Sequence, residues 1–147
     1  MTLHNLCFHA FCQATEDEAK VRTALLFASG GKDEKVKRTK CEGYHGNPIV
    51  ILDVCIESSR NIKSFFQRLL GVDRKALLDD LERRVDEDCA FYFRLDKQEA
   101  YLGRLVLGEK GEENDIIAVH GKIKSYPKSR DSSLRSMAEY LSSFNSG

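Results

Sequence analysis

Ile49-Val50-Ile51-Leu52-Asp53-Val54-Cys55-Ile56-Glu57 alternates along its whole length. Val50, Leu52, Val54 and Ile56 share one face; Ile49, Ile51, Asp53, Cys55 and Glu57 share the other. A period of two is the signature of a strand with one buried face. Sheets built from such strands are mostly antiparallel, with one face packed and one open. Immediately upstream lies the loop of the stretch Cys41–Leu52, CEGYHGNPIVIL. Asn47 precedes Pro48 and is pushed towards extended backbone. Gly43 and Gly46 give freedom on either side of Tyr44 and His45. The loop therefore presents a ring and an imidazole at the entry to a buried strand, where binding groups commonly sit.

Working outward, the same reading organises the rest of the chain. Leu3–Gln13 reads as the first strand. Thr15-Glu16-Asp17-Glu18 fits a capping box and opens a helix with Val21, Leu25 and Ala28 inward, which Ser29-Gly30-Gly31 ends. Lys35–Cys41 is a basic second strand. After the third strand, Ser58 or Ser59 caps a helix with Ile62, Phe65, Phe66, Leu69 and Leu70 on one face. Gly71 is expected to stop it, and Asp73 to cap a further helix with Leu77, Leu78, Leu81 and Val85 inward. Cys89–Leu95 is a strand with Cys89, Phe91, Phe93 and Leu95 inward and Ala90, Tyr92 and Arg94 outward. Lys97–Gly103 is a short helical turn. Arg104–Leu107 and Ile116–Ser125 form a hairpin around the acidic loop Gly108–Asp115. A last helix, Asp131–Phe144, buries Leu134, Met137, Leu141 and Phe144.

The expected fold class is α+β: a two-layer sandwich, a mostly antiparallel sheet with helices on one face. The 147 residues suit one domain with a real core. The open face would carry Tyr92, Arg94, His120, Lys122 and Lys124, together with Ile49, Ile51 and Phe11. The last three make a strip too apolar for water, so the face is expected to bind something or to dimerise.

Net charge is zero, so the molecule as a whole does not attract nucleic acid. The charge is uneven, however. Arg60–Lys75 and Lys122–Arg135 are basic, and Asp79–Asp88 carries six carboxylates against Arg83 and Arg84. A neutral sum can hide a basic face. No apolar run is long enough for a membrane span, and the N-terminus lacks a signal-peptide pattern, so a cytoplasmic protein is expected. Five cysteines without a CxxC pair argue against a disulfide framework and a zinc ribbon, and all five are expected as free thiols.

Three chemistries can be weighed. Outward aromatics flanked by Arg and Lys suit stacking of unpaired bases and neutralisation of phosphates. Cys41 and His45 could form a nucleophile–base pair, but no third orienting group is visible, and no enzymatic activity is expected. Cys7, His9, Cys12, Cys41 and His45 are metal-ligand types without recognised ligand spacing, so no metal is expected. No cofactor is expected either, since the chain has no phosphate-cradling glycine loop.

ATEDEAKV (Ala14–Val21), EGYHGNPI (Glu42–Ile49) and FYFRLDKQEAYLG (Phe91–Gly103) resemble an archaeal RNA-binding family described as predicted exosome subunits. The resemblance covers nearly the whole chain. It implies a fold like that of the ribosomal protein that binds the five-S ribosomal RNA, an RNA-related role and no established catalysis. Carried over by position, it points to Gly43, His45, Gly46, Asn47 and Pro48, then to Arg94, Asp96, Lys97 and Gln98. Residues and resemblance together lead to a cytoplasmic RNA-binding or RNA-processing accessory protein. The expected RNA contacts are Tyr44, His45, Asn47, Arg94, Lys97, Lys122 and Lys124. The alternative is a protein-interaction module that dimerises or docks a partner through the open sheet face without touching RNA.

Overall fold

The computed structural model describes residues 3–42, 46, 48–108 and 115–144, with the side chains of 70–74 outside that description. Five strands and five α-helices follow in order: β1 Leu6–Cys12, α1 Glu18–Ser29, β2 Lys37–Glu42, β3 Pro48–Ile56, α2 Ser59–Asp79, α3 Leu81–Arg84, β4 Ala90–Asp96, α4 Lys97–Tyr101, β5 Ile116–Lys122 and α5 Arg130–Ser142. A 3-10 turn, Asp33–Lys35, precedes β2. The strands form one antiparallel sheet in the order β2-β3-β1-β5-β4, so the α+β class holds. β2 lies antiparallel to β3 with Lys37 opposite Asp53 and Cys41 opposite Ile49. No helix among the described residues is long and apolar enough to cross a membrane.

Two compact units interleave along the chain. The first comprises Met1–Leu6, Ile56–Phe93 and His120–Gly147; the second comprises Cys7–Cys55 and Arg94–Val119. Unit one is built on rings. Phe66 of α2 lies 5.2–6.5 Å, centroid to centroid, from Phe65, Phe91, Phe93, Tyr140 and Phe144. Each buried ring of this size contributes roughly 1.5–3 kcal/mol through burial alone. Arg130, at the start of α5, donates to the carbonyls of Glu82 and Val85 at 2.6 and 3.2 Å, which satisfies the end of α3. Unit two buries Phe8 and Ala10 of β1, Leu52 and Val54 of β3, and Val21, Leu25 and Ala28 of α1.

Four local expectations need correction. First, α2 runs on through Gly71 to Asp79, so there is no helix start at Asp73. The buried stripe explains this: Leu69 and Leu77 are eight residues apart and in phase, so one helix buries both. Second, α1 is capped by Asp17, whose carboxylate accepts from Ala19 N–H at 3.0 Å, instead of by Thr15. Glu16 turns back to accept from Gln13 N–H at 3.1 Å. Gly30, at φ 69°, ends the helix as expected. Third, Cys7 and Cys55 form a disulfide with Cα atoms 4.0 Å apart. Adjacent antiparallel strands bring them together, although 48 residues separate them in sequence. Cys12, Cys41 and Cys89 are free. Fourth, the segment expected as a strand at Arg104–Leu107 pairs only through the Leu95–Leu107 bridge. The loop between it and β5 lies mostly outside the described residues.

Candidate nucleic-acid interface

On unit one, β4 buries Phe91 and Phe93 and turns Tyr92 outward, 47% exposed. β5 places His120 beside it, with ring centroids 6.2 Å apart. Lys122 and Lys124 follow at alternate positions and are exposed, while Ile123 between them is buried. The backbone here is well fixed. His4 N–H donates to Lys122 O at 2.8 Å, Lys122 N–H to Asn5 Oδ1 at 3.1 Å, and Ile123 N–H to Cys89 O at 2.8 Å. Gly121 makes the close approach possible: a Cβ there would stand 2.6 Å from the Asn5 carbonyl.

Tyr92 is oriented by Asp86. That carboxylate also accepts from Asp88 N–H and Ala90 N–H, each at 2.9 Å, and shapes the turn before β4. The turn puts Cys89 at φ 62°, a left-handed conformation, which is why β4 begins one residue later than expected. Burial alone would raise the Asp86 pKa. The hydrogen bonds from Ala90, the Tyr92 hydroxyl and Asp88, with the charge of Lys122, outweigh it and hold the carboxyl below its ordinary value. The same Asp86 bond, together with burial and the charges of Asp86 and Asp88, raises the Tyr92 phenol above its usual value. Tyr92 therefore stays neutral and fixed in direction, as a stacking platform requires.

Unit two holds the other assigned cation and a different polar pair. Arg94 is exposed on β4, and its guanidinium has no ion-pair partner among the described residues. On β1 and β3, His9 Nδ1 bonds the Asp53 carboxylate, one rung along from the disulfide. Cys7 and His9 of the candidate metal set are thus occupied by other partners, and no group of metal-ligand side chains occurs among the described residues. Cys41 is exposed, with its thiol 3.6 Å from the Ile49 carbonyl.

Lys97 must be removed from the expected contacts. It is 2% exposed, and its ammonium donates to Phe11 O at 3.1 Å and pairs with Glu16 at 2.8 Å. It forms the floor of a cleft of about 390 Å³ between α1 and α4. A cation held this way ties α4 to β1, and its charge is already matched by Glu16. Tyr44, His45 and Asn47 lie outside the described residues. Lys122 and Lys124 fall in one unit and Arg94 in the other. Sequence reasoning missed Tyr126, which is 99% exposed just beyond Lys124. Its signal was there, as an aromatic alternating with lysines.

An α+β protein with a ring pair and lysines on a strand surface is defined by these features. A family model described as RNA binding matches residues 5–124. The chain belongs to this RNA-binding family. It is 41% identical over 146 residues to an RNA-binding protein of Pyrococcus abyssi, covering 94% of this chain and 93% of that protein. An uncharacterized protein of Methanocaldococcus jannaschii is 34% identical over 146 residues, covering 90% of this chain and 93% of that protein. A solved DUF54 protein from Methanothermobacter thermautotrophicus superposes with a TM-score of 0.82 at 31% identity, covering 96% of this chain and 99% of that one.

Proposed function

We propose that the protein binds single-stranded or looped RNA directly, through Tyr92, His120, Lys122 and Lys124 of unit one. The observation that carries this is the oriented Tyr92–His120 ring pair continuing into two exposed lysines at the end of β5 and just beyond it. Rings offer stacking faces to unpaired bases, and ammonium groups neutralise phosphates. Family membership supports RNA as the ligand class. Arg94 is a separate phosphate contact in the same proposal. Tyr44 enters it through the sequence reading of the loop as one that presents a ring beside an imidazole, and His45 and Asn47 enter it through the family resemblance. So does the finer role, an accessory factor of the archaeal exosome or of RNA processing on a fold like the five-S-RNA-binding ribosomal protein. The role proposed is binding without catalysis.

The alternative of docking through an apolar sheet face has less to support it. Phe11, Ile49 and Ile51 are half-buried, and the exposed large apolar side chains among the described residues are Tyr92, Tyr101, Leu102 and Tyr126. The test is fluorescence anisotropy of labelled oligouridylate over a salt series. With about three phosphates contacted, the log–log slope should be about −2. Lys122→Glu should weaken binding to all sequences alike and flatten the slope, since phosphate contacts position without specifying. Absence of binding at low salt would refute the proposal.

A further inference from the structure

We infer that Tyr126 is a second base-stacking residue, and that the ligand is RNA left unpaired over a stretch reaching from the Tyr92–His120 pair to Tyr126. The inference rests on the RNA-binding reading above and adds a residue and a site size to it. A single exposed ring is ordinary on a protein surface and needs no explanation by itself. The setting of Tyr126 is what gives it meaning. Lys122, Lys124, Tyr126 and Lys128 occupy every second position, and all four are exposed. Two of the residues between them are turned in: Ile123 is buried, and the half-buried Ser125 has its Oγ 3.1 Å from Ser133 Oγ of α5. The alternation of β5 thus persists beyond its last paired residue as far as Tyr126 and carries a cation, a cation and a ring outward in turn.

The ring also stands on an anchored backbone. Ser136 of α5 donates to the Lys124 carbonyl at 3.3 Å, and Ser129 caps α5 by accepting from Ser132 N–H at 3.2 Å. Tyr126 lies on the short connection between these two points, so little ordering is needed when a base stacks on it. Tyr101, the exposed ring of unit two, differs, because Lys20 already lies over it at 5.7 Å from the centroid.

The span sets the ligand. His120 and Tyr126 are six residues apart in sequence, which is at most about 20 Å of chain. A nucleic-acid strand rises about 3.4 Å per nucleotide when stacked, so roughly three to six nucleotides bridge the rings, fewer when extended. A duplex has its bases stacked on one another and offers no free face to either ring.

The experiment measures anisotropy for oligouridylates of two to ten nucleotides with the parent, Tyr126→Ala and Tyr126→Phe. Tyr126→Ala should weaken the longer oligomers by roughly tenfold, the scale of one lost base stack. It should leave the dinucleotide unchanged, and Tyr126→Phe should match the parent throughout. A duplex of equal length should compete poorly. If the parent binds but Tyr126→Ala matches it at every length, the inference is wrong and the RNA-binding reading survives; if duplex competes as well as single strand, the inference and the preference for unpaired RNA both fall. If the parent binds no RNA at any length, the RNA-binding reading itself falls, and the inference with it.

Discussion

Lys97 shows how one residue changes meaning between sequence and structure. In the sequence it sits in Arg94-Leu95-Asp96-Lys97-Gln98, a basic polar run at the end of a strand, and reads as a surface contact. In the fold it is the buried partner of Glu16 and of the Phe11 carbonyl. No local pattern reveals this, because its partners lie on β1 and just before α1, more than eighty residues earlier. Removing one partner of a buried ion pair leaves the other uncompensated, at a cost of about 3–5 kcal/mol when both are fully buried. Glu16 is a quarter exposed and can recover some hydration, so Lys97→Ala should cost about 2–3 kcal/mol, below that range. A denaturant midpoint equal to the parent's would contradict the burial. The Cys7–Cys55 pair was hidden for the same reason, since only the pairing of β1 with β3 brings the two thiols together. Tyr92 and Lys122, by contrast, were legible as outward residues, because alternation along a strand assigns faces directly.

At the scale of elements, periodicity was a good guide and punctuation a poor one. The inward positions of β3, β4, α1 and α5 agree with the buried residues found, except that Val50 and Leu134 are half-buried. The single glycine at position 71 was taken as a stop, yet it costs a helix interior only about 1 kcal/mol. A stripe that stays in phase from Ile62 to Leu77 outweighs that cost, and the helix continues. The ring cluster is where α2, β4 and α5 meet. Phe66 touches rings on all three elements, so Phe66→Ala should remove about 3–5 kcal/mol. That is a large part of the stability of a typical domain, about 5–15 kcal/mol. Chemical denaturation of the variant should show a much lower midpoint or no cooperative transition. A midpoint close to the parent's would mean that the rings do not form the core of unit one.

For the whole molecule, the α+β class was legible because alternating strands and amphipathic helices each bury one face. Its division into two interleaved units was not, because strands β1, β3, β4 and β5 each contribute to both. Lys122 and Lys124 belong to one unit and Arg94 to the other. Zero net charge remains compatible with RNA binding, because the Tyr92–His120–Lys122 surface concentrates rings and cations locally. The most direct test of that surface is an amide NMR titration of the ¹⁵N-labelled protein with unlabelled hexauridylate. Binding as described should shift the amides of Tyr92, His120, Lys122 and Lys124 and leave the interior of α2 unmoved. Shifts confined to other regions, or no shift under low-salt conditions, would contradict the account.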